Sequence, residues 1–288
     1  MEGGVGERHG KGFDMRSLAR VERGGVTLVG SFDGRVAFGF TERAGGVSEP
    51  PYDSLNLGAH VGDNPAAVAE NRRRVLAALD AEEYSCNLLV PNQVHGDEVA
   101  VVRTADADEL DHVRTQVSEG ADAIVCLAPG VPVLLCFADC VPVVIIGEHG
   151  FAVVHSGWKG TYAGIAGKAA RILAGELSCD PATLKAYIGP HILGSEYEVS
   201  AELIDKFAAL YPASVRPGSR LLDLSAAIRS SLVEAGVGEQ SVFDTGLSTL
   251  SGTDRFYSYR GEGGTCGRHG AVAVMRSQQP GWRPFMLR

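Results

Sequence analysis

Three short motifs place side chains that can bind a metal between apolar segments of the chain. Residues 92–96 are NQVHG, residues 138–142 are ADCVP and residues 155–160 are HSGWKG. They supply the imidazoles of His95 and His155 and the thiol of Cys140. Three nitrogen and sulfur ligands with a fourth position left open are typical of a catalytic zinc site. The set is therefore a candidate zinc centre, although the spacing alone is weak evidence because each ligand comes from a different element.

Each motif also has a purely structural interpretation, and the spacing does not decide between the two. His95 could be a solvated turn histidine, and Cys140 lies between apolar runs, where a thiol often packs as a small hydrophobe. His155 ends an apolar run, and the glycines after it allow a turn into a helix whose first N–H groups could bind an anion. Asp139, beside Cys140, could orient a ligand or transfer a proton.

The elements that must position these residues can be predicted from hydrophobic patterning. Short apolar runs rich in valine and isoleucine predict buried strands over residues 123–127, 131–137, 141–146, 151–154 and 184–188. Further strands are predicted at 26–32, 35–40, 256–259 and 271–275, with two more within 87–103. Helices are predicted from residue 65 and over 161–177, 200–210 and 221–235, and the polar segment 106–120 is predicted to be a surface loop. Because the strands cluster, the pattern favours an α+β fold over a doubly wound sheet.

Composition and charge restrict the class of protein. The chain has 288 residues, and its 45% hydrophobic and 21% charged residues are ordinary for a globular protein. A formal charge of −9 disfavours binding to nucleic acid and to anionic membranes. The six cysteines include no CxxC pair, which predicts reduced thiols and a cytoplasmic protein. Neither a signal peptide nor a membrane span is expected, and the sequence leaves the oligomeric state open.

The N-terminal segment differs from the rest of the chain. Residues 1–24 are rich in glycine and carry mixed charges, so we expect a mobile tail, in which Met15 could be the true start. No repeat, linker or change of composition divides the remainder. Residues 25–288 are therefore predicted to form a single catalytic domain.

The three motifs resemble the signature of the laccase-domain, or YfiH-like, family, and the similarity extends over about residues 35–276. Residues 41–48 (TERAGGVS) and 54–58 (SLNLG) resemble its N-terminal block, and residues 187–190 (YIGP) and 256–260 (FYSYR) resemble its C-terminal block. The resemblance supports the α+β prediction and implies two β-sheets packed face to face with outer helices, in four layers. It also implies that His95, Cys140 and His155 bind zinc.

Members of this family were first called multicopper polyphenol oxidases and were later described as purine nucleoside phosphorylases. The resemblance implies phosphorolysis of adenosine, inosine, guanosine and methylthioadenosine, with some adenosine deamination. Phosphorolysis requires cationic donors for phosphate and a group that stabilises the departing purine. We expect catalytic roles for Cys140, Asp139 and Arg43. The candidate residues for binding phosphate or nucleoside are Arg43, Gly45, Gly46, Ser48, Asn56 and Arg260, with Arg268 as a weaker candidate.

Three other functions are compatible with the same motifs. The family has been linked to peptidoglycan editing, and in a Cys–His amidohydrolase Cys140 would be a nucleophile rather than a ligand. One thiol and two imidazoles also resemble a mononuclear copper site, as in a copper-dependent polyphenol oxidase. However, four-electron oxygen chemistry requires a histidine-rich cluster, and the eight histidines of this chain are scattered. A non-catalytic binding module is the remaining alternative.

Overall fold

The computed structural model describes residues 18–277. In chain order its strands and α-helices are β1 (Ala19–Arg23), β2 (Val26–Ser31), β3 (Val36–Thr41), α1 (Pro65–Ala78), β4 (Val99–Val102), α2 (Ala107–Glu119), β5 (Ala123–Cys126), β6 (Val133–Phe137), β7 (Val141–Ile146), β8 (Phe151–Ser156), α3 (Trp158–Tyr162), α4 (Ile165–Leu177), β9 (Lys185–Ile188), α5 (Ala201–Leu210), α6 (Leu224–Glu234), β10 (Val242–Asp244) and β11 (His269–Met275). No helix within residues 18–277 is both long enough and apolar enough to cross a membrane.

The strands form two sheets. The first contains five antiparallel strands in the order β1-β2-β3-β11-β6. The second contains six strands in the order β10-β9-β7-β8-β5-β4, and its outer pairs are parallel while its central pairs are antiparallel. The strands predicted at 26–32 and 35–40 are confirmed as β2 and β3, which pair as a hairpin around Asp33 and Gly34. Most of the predicted buried strands are confirmed to within two residues.

The two sheets pack face to face, and helices cover their outer faces. Side chains that alternate along β3, such as Phe38 and Phe40, meet side chains of β5, β8 and β9 in a core between the sheets. Helix α1 covers the other face of the first sheet through Val75 and Leu76. Helices α4, α5 and α6 cover the other face of the second sheet. The predicted four-layer α+β architecture is therefore confirmed.

Two predictions in the helical regions are wrong. Residues 106–120 are not a surface loop, because 107–119 form helix α2. Its three buried residues, Leu110, Val113 and Val117, have helical spacing, but the polar residues between them conceal the pattern. The single helix predicted over 161–177 is two helices, α3 and α4, separated at Gly164, whose φ of 73° is in the left-handed region that glycine tolerates.

Three predictions at the strands also need correction. Of the predicted tail, residues 1–17 lie outside the described residues, but 19–23 form β1, an edge strand whose mostly exposed residues look like a solvated segment in the sequence. Residues 256–259 lie in a turn-rich loop instead of a strand. Within 87–103 only β4 is a strand, although Leu89 makes an isolated bridge to Val133.

Candidate metal centre

The structure brings the three predicted ligands together at one end of the second sheet. Cys140 directly precedes β7, and His155 lies near the end of the neighbouring strand β8, opposite Pro142. His95 reaches the same place from the loop before β4. Their nitrogen and sulfur atoms all lie within 4.8 Å of one another, and the two imidazole rings stand nearly perpendicular at a centroid distance of 4.8 Å. His95 is exposed, Cys140 half-buried and His155 buried.

Asp122, which the sequence did not single out, holds two of these ligands in position. Its fully buried carboxylate accepts backbone N–H groups from Val94 (3.2 Å), His95 (3.0 Å) and Gly96 (2.7 Å). It also accepts a hydrogen bond from Nδ1 of His155 at 2.7 Å. A carboxylate behind an imidazole fixes the tautomer, so Nε2 of His155 is the nitrogen left for a metal. Burial raises the pKa of Asp122, but His155 and the backbone N–H groups of Gly96 and Val94 more than offset it, and the net shift is downward.

Glycine at position 157 leaves room for the ligands to meet. A Cβ atom there would lie 3.1 Å from Cδ2 of His95 and 3.2 Å from Sγ of Cys140, both shorter than ordinary contacts. At Gly160 a Cβ atom would lie 2.7 Å from the carbonyl oxygen of Gly96. The two glycines of the HSGWKG motif therefore let the His95 loop approach β8 closely. Helix α3, which follows, has only five residues.

The electrostatics of the cluster favour a thiolate. Burial raises the pKa of Cys140, but the nearby imidazoles of His155 and His95 more than offset it, and the net shift is downward. Burial lowers the pKa of His155, but the thiolate and Asp122 raise it further than burial lowers it. A thiolate is required of a metal ligand and equally of a nucleophile. One soft thiolate and two imidazoles, close enough to share one ion, fit zinc or copper better than magnesium or calcium.

Asp139 contacts a different part of the molecule from the one expected. Its carboxylate accepts hydrogen bonds from Oγ1 of Thr249 (2.7 Å), Oγ of Ser258 (2.6 Å) and the backbone N–H of Arg260 (2.7 Å). Its backbone has a φ of 86°. Asp139 therefore fastens the loop 256–262 to the Cys140 turn, whereas the ligand-orienting role expected of it is filled by Asp122 at His155.

The predicted anion site around Arg43 lies outside the cavity that contains the three ligands. The Arg43 guanidinium is mostly buried, donates to the carbonyl oxygen of Thr253 (2.8 Å) and to Glu262 (3.0 Å), and lies over the ring of Tyr257. Gly45 and Gly46 allow close backbone packing, since a Cβ atom at either would lie 2.0 Å from a carbonyl oxygen.

The remaining members of that predicted site form a hydrogen-bonded network. Ser48 and Asn56 both donate to the carboxylate of Asp63, at 2.6 and 2.8 Å, and Asn71 donates to Ser48. Neither they nor Arg43, Gly45 and Gly46 line the cavity that contains the three ligands. The physical reason is that this segment uses its polar groups to pack against α1 and against residues 245–268 between β10 and β11, here called the C-terminal loop.

A cavity of about 410 Å³ opens beside the ligands. Its aromatic and aliphatic walls include Phe137, Ile192, Tyr197 and Tyr259. Besides the three ligands, its lining includes His60, Asp139, Arg260 and Arg268. The Arg260 guanidinium lies 5.4 Å from the Tyr197 ring centroid, and that of Arg268 lies 5.7 Å from the Tyr259 centroid. The cavity therefore places two guanidinium groups beside the three ligands in a protein whose overall charge is negative.

Comparison with known proteins supports the early resemblance. Residues 37–276 match the model of a family described as multi-copper polyphenol oxidoreductase laccase. A purine nucleoside phosphorylase of Streptomyces coelicolor is 38% identical over 230 residues, which cover 77% of this chain and 89% of that protein. A purine nucleoside phosphorylase of Mycobacterium tuberculosis is 36% identical over 228 residues, covering 77% of this chain and 84% of that protein.

Solved structures agree with these sequence relatives. The chain resembles the Bacillus licheniformis hypothetical protein YfiH with a TM-score of 0.79 and 30% identity, covering 89% of this chain and 98% of that one. It resembles YlmD from Geobacillus stearothermophilus with the same TM-score and identity, covering 90% of this chain and 99% of that one.

Proposed function

Because the chain belongs to the multi-copper polyphenol oxidoreductase laccase family, also called YfiH-like, we propose that it is a zinc-dependent purine nucleoside phosphorylase. The proposed substrates are phosphate and adenosine, inosine, guanosine or methylthioadenosine, with adenosine deamination as a second activity. The observation that carries the proposal is the cluster of His95, Cys140 and His155 inside a cavity that also contains two arginines. The volume lies in the range of roughly 300–1,000 Å³ usual for small-molecule sites.

The donor set supports zinc as the metal. His95, Cys140 and Nε2 of His155 would hold the ion, and Asp122 would keep His155 oriented. When bound, zinc supplies Lewis acidity without redox chemistry. Copper is the alternative that the family description suggests, and elemental analysis of the purified protein distinguishes the two.

The cavity residues suit phosphorolysis. In that reaction a phosphate oxygen forms a bond to C1′ of the ribose while the bond from C1′ to the purine nitrogen breaks, and the proton of hydrogen phosphate ends on the purine. The guanidinium groups of Arg260 and Arg268 can bind and orient an anion there. The Phe137 and Ile192 side chains can exclude water that would otherwise compete with phosphate for C1′.

The proposed setting is the cytoplasm. All six cysteines are free, and a reducing compartment would keep Cys140 available as a thiolate. Phosphate and purine nucleosides are the expected small-molecule partners.

The direct test is to incubate the purified protein with inosine, with and without phosphate. We expect hypoxanthine and ribose 1-phosphate in equal amounts, and only when phosphate is present. Adenosine should additionally release ammonia if the protein deaminates it. Free ribose in place of ribose 1-phosphate would indicate hydrolysis, and no release of base from any of the four nucleosides would contradict the proposal.

One observation favours a second candidate, a Cys–His amidohydrolase. Cys140, His155 and Asp122 have the order of nucleophile, base and orienting carboxylate that such enzymes use. Cys140→Ser separates the two functions: loss of zinc together with phosphorolysis supports the ligand role, whereas loss of amide hydrolysis with zinc retained supports the nucleophile. Added zinc should also protect the Cys140 thiol from iodoacetamide, whereas a catalytic thiolate would react rapidly.

A further inference from the structure

The cavity has two arginines with different surroundings. Gly58 brings Arg268 next to His60, since a Cβ atom on Gly58 would lie 2.8 Å from Cγ of Arg268 and 3.4 Å from Cε1 of His60. Both side chains therefore pack against the backbone of Gly58, and both line the cavity.

The backbone fixes this pair. The N–H of Leu57 donates to the carbonyl oxygen of Arg268 at 2.9 Å. The N–H of Arg268 donates to Oδ1 of Asn56 at 2.8 Å, and Asn56 is fully buried. These two contacts fix the backbone from which the Arg268 side chain enters the cavity, which lowers the cost of ordering when a ligand binds.

Arg268 is not neutralised by the protein. Its Nη1 atom donates to the carbonyl oxygens of Cys266 and Gly267, both at 2.9 Å, and contacts Sγ of Cys266. Within residues 18–277 its Nε and Nη2 atoms have no acceptor, and no carboxylate forms an ion pair with it. His60 likewise has no hydrogen-bonded partner in this part of the chain. By contrast, Arg43, although mostly buried, is paired with Glu262.

The other cavity arginine, Arg260, meets a carboxylate only through its backbone, and its guanidinium lies against an aromatic ring. The backbone N–H of Arg260 is bound to Asp139, and its Nη1 atom donates to the carbonyl oxygen of Glu198 at 3.3 Å. Tyr197, which lies under its guanidinium, offers a ring surface that suits a purine or ribose better than a multiply charged anion.

We infer that Arg268 and His60 form the anion subsite of the cavity, and that inorganic phosphate binds there while the nucleoside lies toward Arg260 and Tyr197. The identification of the anion as phosphate rests on the proposed function. The location of the subsite rests on the geometry alone. The Arg268 guanidinium carbon lies over the Tyr259 ring at 5.7 Å from its centroid, and the edge formed by Nε and Nη2 is able to donate two parallel hydrogen bonds to phosphate oxygens.

The test measures phosphate binding by calorimetry on the full-length zinc-loaded protein without nucleoside, and then steady-state kinetics with inosine. Arg268→Ala should weaken phosphate binding about tenfold or more, because it removes charge-assisted hydrogen bonds. It should raise the KM for phosphate by a similar factor and change the KM for inosine much less. Arg268→Lys, which keeps the charge but not the fork, should give an intermediate loss.

Arg171→Ala is the matched control, because it removes the same charge from the exposed surface of α4. It should leave phosphate binding unchanged, and circular dichroism should show that each variant is folded. Equal phosphate affinity in wild type and Arg268→Ala would overturn the subsite, even if phosphorolysis is intact. Arg268-dependent phosphate binding without phosphorolysis would keep the subsite and refute the proposed function. Tighter binding of acetate than of phosphate would overturn the assignment to phosphate.

Discussion

The buried carboxylate of Asp122 positions two of the three candidate ligands without binding the metal itself. It joins the backbone of the His95 loop to the ring of His155, so both histidines depend on one side chain. In Asp122→Asn the negative charge is lost, and the side-chain NH2 group, itself a donor, faces N–H groups that need an acceptor. We expect zinc affinity to fall by about 10–100-fold, as is usual when such a partner of a ligand is removed.

Competition with a chromogenic chelator measures that affinity. Asp139→Asn is the matched control, because Asp139 is also largely buried but contacts the loop 256–262. Equal losses of zinc affinity in the two variants would show that Asp122 has no special role in holding His155.

Gly157→Ala tests the space between the ligands. The added Cβ would lie 3.1–3.2 Å from His95 and Cys140, so one of the two side chains must shift by a few tenths of an ångström. Zinc affinity should fall while the protein remains folded. Gly175→Ala on α4 is the control, because a Cβ there meets nothing within 4 Å, and it should raise stability by about 0.5–1 kcal/mol. Unchanged zinc affinity in Gly157→Ala would contradict this explanation of the glycine.

The ligand residues could be proposed from the sequence because histidine and cysteine beside glycine or proline turns are recognisable as candidates. Asp122 could not be proposed, because an acid directly before an apolar strand has the same pattern as a solvated strand end. Only the packing of the His95 loop and of His155 around its carboxylate reveals its role.

At the scale of elements, the C-terminal loop is held to the metal centre through Asp139. In wild type, one carboxylate oxygen of Asp139 accepts from Ser258 and the other accepts from the N–H of Arg260. The amide of Asp139→Asn has only one acceptor oxygen, so one of these hydrogen bonds is lost and the loop carrying Tyr259 and Arg260 should loosen. We expect the KM for inosine to rise several-fold while zinc content stays the same. Kinetics and elemental analysis of one preparation give both values, and a loss of zinc with unchanged KM would contradict the role assigned to this loop.

Elements were predictable where the residue pattern was strong and not where tertiary contacts overrode it. The apolar runs that form β5 to β8 are short and rich in valine and isoleucine, a pattern that favours buried strands over helices. Helix α2 is hard to predict because it buries only three residues against the core. The segment around Arg43 has the polar, glycine-rich pattern of an anion site, but in the structure the guanidinium is hydrogen-bonded to Thr253 and Glu262. Strand β1 forms because it pairs with β2, and the sequence of β1 alone does not indicate this pairing.

At the scale of the molecule, Glu42 joins the first sheet to the C-terminal loop. Its buried carboxylate accepts from Arg20 of β1 at 2.7 Å and from Arg255 at 2.6 Å. Burial raises the pKa of Glu42, but the two arginines outweigh it and the net shift is downward. A lowered folded pKa means that the stabilisation is present above the ordinary carboxyl pKa and is lost as the pH falls through the folded value.

Glu42→Gln should therefore lower the free energy of unfolding by about 1–3 kcal/mol at neutral pH. The difference from wild type should shrink on acidification, as the wild-type carboxylate becomes protonated. Urea unfolding at neutral and acidic pH measures it, and a difference of the same size at both pH values would show that charge is not responsible.

Dependence of phosphorolysis on a metal held by His95, Cys140 and His155 is tested most directly by titrating zinc into chelator-treated protein. Bound zinc and phosphate-dependent release of hypoxanthine from inosine are measured on the same samples. Turnover should be absent without metal and should rise in proportion to bound zinc up to one ion per chain, and Cys140→Ser should show neither binding nor turnover. Full phosphorolysis by metal-free protein would contradict the assignment.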